Sequence, residues 1–143
     1  MALSPNWSKQ MSKELYWLTL TVLMTALFWL PYVFDRMAVR GLMGTLSAAV
    51  PETGQPQSGW AVRAAAAHWN AVENLVVFAP AVLTAHVLGI STAATQFAVV
   101  LYFFSRLAHF IVYAFGIPVA RTLAFTGGWI AQIIVLASIL KWI

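Results

Sequence analysis

The 143-residue chain contains no cysteine. That absence excludes disulfides, cysteine-ligated metals, iron–sulfur clusters and a cysteine nucleophile in one step. Any thiol chemistry here needs a thiol carried by a ligand. Charge is almost as scarce, with 8% of residues Asp, Glu, Lys or Arg, against roughly 25% in a soluble domain. The 8 Lys and Arg outnumber the 4 acids, but they are dispersed at segment ends instead of forming the dense patch that nucleic acid requires. No nucleic-acid partner is expected. Repeats and low-complexity tracts are missing too, and His68, Glu73 and His109 stand at spacings that match no tight ligand set, so no metal is expected.

What remains is apolar. Hydrophobic residues make up 62% of the chain and the mean hydropathy is +0.81, which marks a membrane protein. Leu15 to Phe34, LYWLTLTVLMTALFWLPYVF, carries no charge over the roughly 20 residues a helix needs to cross a bilayer. It is too long for a signal-peptide core and no small-residue cleavage site follows, so it reads as a retained first span. Further spans are expected at about 62–88, 92–115 and 122–140, with breaks at LGIST and GIPVAR. GLMGTLSAAVPETGQPQSGW, rich in Gly, Pro, Ser and Thr, reads as the one long loop.

The predicted fold is an all-α integral membrane bundle of four transmembrane helices, with residues 1–143 as one domain. Its short second and third connections require antiparallel neighbours. Pro31 and Pro80 fall within spans, where neighbouring helices can satisfy the freed carbonyls. Lys9, Lys13 and Lys141 share one side, and Arg36, Arg40, Arg63 and Arg121 the other. The positive-inside rule then puts the long loop in the cytoplasm and both termini outside. A small multidrug transporter would centre on an acid in the first span, and Leu15 to Phe34 has none.

The polar residues inside the spans are few and aligned. With about 100° between successive helical residues, Arg63, Asn70 and Glu73 project within about 80° of one another on the second span. On the third, Arg106, His109 and Tyr113 stand at i, i+3 and i+7, within roughly 60°. Helix polarity carries both stripes toward the long-loop side, where they can meet. Unpaired, Glu73 and Arg106 would together cost roughly 5 to 7 kcal/mol in a membrane, so both must face protein or water. A buried ion pair that only ties helices together is one explanation. The surplus of cations at the same level favours a site: Arg36, Arg40, Arg63 and Arg121 flank it, and one Glu cannot neutralise them. A small peptide-like anion would satisfy the guanidinium groups through bidentate hydrogen bonds, with Glu73 accepting from a ligand ammonium.

RAAAAHWNAVENLVVF followed by RLAHFIVYAFGIPVARTLAF resembles the MAPEG family, the membrane-associated proteins in eicosanoid and glutathione metabolism. The likeness rests on an N-x-x-E motif joined to R-x-x-H-x-x-x-Y and a following R-T, and runs from about Tyr32 onward. The resemblance implies a homotrimer of four-helix subunits that binds glutathione between neighbours, near the cytoplasmic side. It implies that Asn70, Glu73, His109 and Tyr113 hold glutathione, with Arg106 neutralising anionic charge. Arg36 would reach a glutathione carboxylate, with Arg40 as the alternative. Arg121 would stabilise the thiolate and Thr122 stand beside it as a second catalytic group. The implied activity is that of a glutathione-dependent transferase or peroxidase on lipophilic electrophiles or hydroperoxides entering from membrane lipid. Composition and the compact loops point to a bacterial inner membrane. Trp69 departs from the pattern, standing before Asn70 where several glutathione-using members have an arginine. It motivates the alternative of a noncatalytic, lipid-binding or regulatory member.

Overall fold

A computed structural model describes residues 11–46 and 56–143; Lys9 and the middle of the long loop fall outside them. Every element among the described residues is helical: α1 Lys13–Leu27, α2 Trp29–Leu46, α3 Gly59–Val87, α4 Ala93–Phe115 and α5 Pro118–Ile139. Four helices are long and apolar enough to cross a membrane, with α1 and α2 together forming the first, Lys13–Leu46. The chain is a multi-pass integral membrane protein.

Local chemistry fixes the ends. Ser12 caps α1 by accepting from the Leu15 N–H at 3.2 Å. Four residues after Leu27 stands Pro31, which has no N–H to offer the Leu27 carbonyl. The helix tightens there, with the Phe28 N–H donating to the Thr25 carbonyl at 3.2 Å, and α2 resumes at Trp29. It then runs well past Phe34, with an interruption at Gly41. Hydropathy locates the edge of the apolar stretch at Phe34, whereas Asp35, Arg36 and Arg40 prolong the helix beyond it. Thr92 and Thr95 form a reciprocal capping box at the start of α4. Gly116, at φ 75°, closes α4 in the left-handed conformation, and Pro118 opens α5 where a missing N–H costs nothing.

One face of α3 is buried along its length. Ala61, Ala64, Ala67 and Ala71 give way to Phe78, Ala81, Val82 and Ala85 at helical spacing. The small residues let neighbouring backbones approach closely, which supports helix association where lipid is as apolar as protein. The core lies in the opposite half of the bundle, where Phe78 stacks on Tyr102 with ring centroids 3.6 Å apart and planes 7° apart. Tyr102 therefore packs. His68 also serves the interior, its Nδ1 3.0 Å from the Tyr32 hydroxyl. The first crossing is tied to α3 by Asp35, whose Oδ2 accepts from the Ser58 N–H at 3.1 Å, and by Gln57, which donates to the Tyr32 carbonyl at 2.7 Å.

Candidate functional site

The end of the bundle where α3 begins, α4 ends and α5 begins holds the polar residues in question. Asn70 comes from α3, His109 and Tyr113 from α4, and Arg121, Thr122 and Phe125 from α5; together they line a cavity of about 330 Å3. The left-handed turn at Gly116 makes this convergence possible, because it reverses the chain within a few residues of Tyr113 and returns Arg121 to the same level.

Arg106 lies beneath the cavity and is 2% exposed. Its Nη1 donates to the Asn70 Oδ1 at 3.1 Å. Its Nε and Nη2 are equally buried and have no hydrogen-bond partner. Aromatic rings cover the guanidinium, 5.4 Å from the Phe125 centroid and 6.0 Å from that of Tyr102. Gly128 makes room for it, since a Cβ there would lie 3.2 Å from the Arg106 Nε. Asn70 is in turn held from the next turn of its own helix, the Asn74 amide donating to its carbonyl at 2.8 Å. Gln132 of α5 donates to the Asn74 carbonyl at 3.1 Å and so fixes the rotation of α3 against α5.

Arg121 is placed differently. Its guanidinium sits 4.8 Å from the Tyr113 ring centroid on the cavity wall, and it is exposed in the single chain. A fixed cation in that position attracts an anion entering the cavity. Thr122 donates its hydroxyl to the Pro118 carbonyl at 3.1 Å, leaving its lone pairs available. His109, nearly buried, meets Tyr113 edge-on at 5.5 Å.

Six of the eight residues named from the sequence are thus gathered within one chain: Asn70, Arg106, His109, Tyr113, Arg121 and Thr122. Glu73 and Arg36 do not line the cavity. Glu73 is exposed on the outside of α3, and no described side chain pairs with it. Arg36 reaches the Gln57 Oε1 at 3.3 Å instead. Arg63, on the same stripe as Asn70, caps α4 by donating from Nε to the Ala114 carbonyl at 2.9 Å. Trp69 is also exposed and does not line the cavity. Asn74 lies one turn on from Asn70 and bonds to it. Sequence reasoning missed Phe125, although its place four residues after Arg121 puts both on one helix face. Among the described residues no cluster of three or more His, Cys, Asp or Glu could hold a metal.

Comparison with curated proteins and with solved structures gave no match. The family model described as MAPEG family matches residues 15–141. Nearly the whole chain falls within that match, from the first crossing through the cavity to the end of α5, and the protein belongs to the MAPEG family.

Proposed function

We propose that the protein is a membrane-embedded, glutathione-dependent transferase or peroxidase that acts on lipophilic electrophiles or hydroperoxides. The observation that carries this reading is the surplus of guanidinium groups at one polar cavity, Arg121 on its wall and Arg106 buried behind the lining residue Asn70. Two donors of Arg106 are buried without partners, and Arg121 stands on the wall with no carboxylate opposite it. Buried donors left unsatisfied are costly and rare, and a peptide with carboxylates and carbonyls is the complement they fit. At about 330 Å3 the cavity is at the small end of the roughly 300 to 1,000 Å3 of ligand pockets. That suits a site to which another subunit adds a wall.

When bound, glutathione supplies the thiol that the cysteine-free chain lacks. Arg121 favours the thiolate by placing a positive charge beside it, and Thr122 adds a hydroxyl on the same turn. Asn70, His109 and Tyr113 bind the peptide, Arg106 neutralises its charge, and Phe125 keeps water out. Glu73 and Arg36 complete the site in a homotrimer, from the surfaces where neighbouring copies meet. The second substrate reaches it laterally from membrane lipid. The whole chain acts as one membrane domain, in a bacterial inner membrane with the long loop cytoplasmic.

The ultraviolet thiolate difference spectrum of the detergent-purified protein with added glutathione at neutral pH tests the reading, with Arg121→Ala as the control. A saturable band lost in the variant is expected. A folded trimer that gives no band and keeps a lipid through purification would instead support a noncatalytic, lipid-binding or regulatory member, for which the outward-facing Trp69 speaks.

A further inference from the structure

Glu14 lies at the opposite end of the bundle from this site, where α1 begins, α3 ends and α4 begins. Although it is the second residue of α1, it is only 4% exposed. The hydroxyls of Ser91 and Thr95 both donate to its Oε1, each at 2.8 Å. Its Oε2 is buried as well and accepts nothing. Thr95 is itself locked to Thr92 by the capping box of α4, so the carboxylate is held in one orientation.

Glu14 lines a cavity of about 290 Å3, together with Ser12, His86, Gly89, Ile90 and Ser91. His86 and Gly89 belong to the last turn and the cap of α3, where the Thr84, Ala85 and His86 carbonyls accept from the N–H groups of Leu88, Ile90 and Gly89 and the negative end of the helix dipole lies. A half-satisfied carboxylate and the negative end of a helix dipole therefore border the same space; both favour a cation, and the free carboxylate oxygen calls for one with an N–H to donate. A metal ion would find only Glu14 and His86 as ligands, since no larger group of metal-binding side chains gathers among the described residues. An ammonium group needs only acceptors. His86, exposed on the rim, can donate to an anionic group next to that ammonium.

We infer that this cavity is a second binding site, which takes a primary ammonium group flanked by a phosphate. The Glu14 carboxylate turns its buried Oε2 to the cavity and accepts from the ammonium, and His86 donates to the phosphate. Three membrane-crossing helices end at this level, so the headgroup of an aminophospholipid reaches the cavity from the bilayer surface. A soluble phosphorylated amine is the other source of the same chemistry.

The full chain, purified in detergent, is loaded with phosphatidylethanolamine or phosphatidylcholine of identical acyl chains, and lipid retention is read by native mass spectrometry. The quaternary nitrogen of phosphatidylcholine has no N–H to donate. The ethanolamine lipid is expected to be retained about tenfold more strongly, the scale of one charge-assisted hydrogen bond. Glu14→Gln, which keeps an acceptor for Ser91 and Thr95, should abolish that preference. Displacement of the lipid by soluble phosphoethanolamine would assign the site to a free amine, and resistance to it with the preference intact would assign it to the headgroup. Equal retention of the two lipids by the wild-type protein overturns the inference whether or not the variant folds. A preference that survives in Glu14→Gln overturns it too.

Discussion

Arg106 offers the most direct test of whether the cavity is built for an anion. In the chain alone it makes one hydrogen bond, to Asn70, and no carboxylate neutralises it among the described residues. Replacing it by Met gives up that hydrogen bond, worth about 1.5 to 3 kcal/mol for a charged donor. The cation–π contacts with Phe125 and Tyr102 take away about 0.5 to 1 kcal/mol more. Against this, the substitution removes a charge whose insertion in a membrane helix costs about 2.5 to 3.5 kcal/mol. A flexible thioether also packs well between two rings. The terms nearly cancel, so Arg106→Met should leave the stability of the ligand-free protein within about 1 to 2 kcal/mol of the wild type. An arginine matched to a buried carboxylate behaves otherwise, since removing one partner costs about 3 to 5 kcal/mol.

The assay is thermal unfolding of the purified protein in detergent, followed by circular dichroism with and without glutathione. At a hundredfold excess over Kd, a ligand that binds only the folded state stabilises it by about 2.7 kcal/mol. The wild type should show that shift and Arg106→Met should not. A ligand-free variant destabilised by about 3 to 5 kcal/mol would mean that the protein itself uses the charge. A variant that kept the full glutathione shift would mean that the ligand does not. Either result refutes the reasoning.

Three other perturbations probe separate parts of the structure. Arg121→Ala should lower turnover by about a hundredfold, in the range of removing one electrostatic stabiliser of a reacting anion, while glutathione retention in equilibrium dialysis changes only a few-fold; equal losses in both would contradict the role assigned to Arg121. Glu73→Gln should leave thermal unfolding of the ligand-free protein unchanged but weaken glutathione binding, because Glu73 is exposed and makes no hydrogen bond or ion pair among the described residues. Gly116→Ala puts a side chain at φ +75°, with its Cβ 3.2 Å from the Arg63 Nε. It should cost about 1 to 2 kcal/mol from the backbone alone and more as Arg63 leaves the Ala114 carbonyl, read as a lowered unfolding temperature; an unchanged midpoint would show that the turn tolerates the substitution.

The four crossings were legible because bilayer thickness and hydropathy act on every residue of a span. The break at Phe28 was not, since it depends on which carbonyl Pro31 leaves free and how the preceding turn closes. Glu14 escaped notice for a different reason. As an acid in the first turn of a helix it looks like an ordinary response to the helix dipole. Its burial arises only because Ser91 and Thr95, 77 and 81 residues away, return to its level. His86 stands apart from the other polar residues along the sequence, yet it borders the same cavity.

In the polar site, the helical period identified the stripes but could not fix how each helix is rotated. From Asn70, Asn74 lies about 40° around the helix in one direction and Glu73 about 60° in the other. The Gln132 bond to the Asn74 carbonyl turns the Asn74 side of α3 toward α5. Glu73 is thereby carried to the outer surface while Asn70 stays at the seam, where Arg106 reaches it. The charge that the stripe offers Arg106 on helical period alone therefore faces away from it. An acid at that position facing lipid would cost about 2.5 to 3.5 kcal/mol on insertion scales, with no partner among the described residues to offset the cost. Another copy of the subunit is the simplest source of a covering surface, and in the proposed homotrimer the rotation that removes Glu73 from one chain's cavity would make it available to a site shared between two.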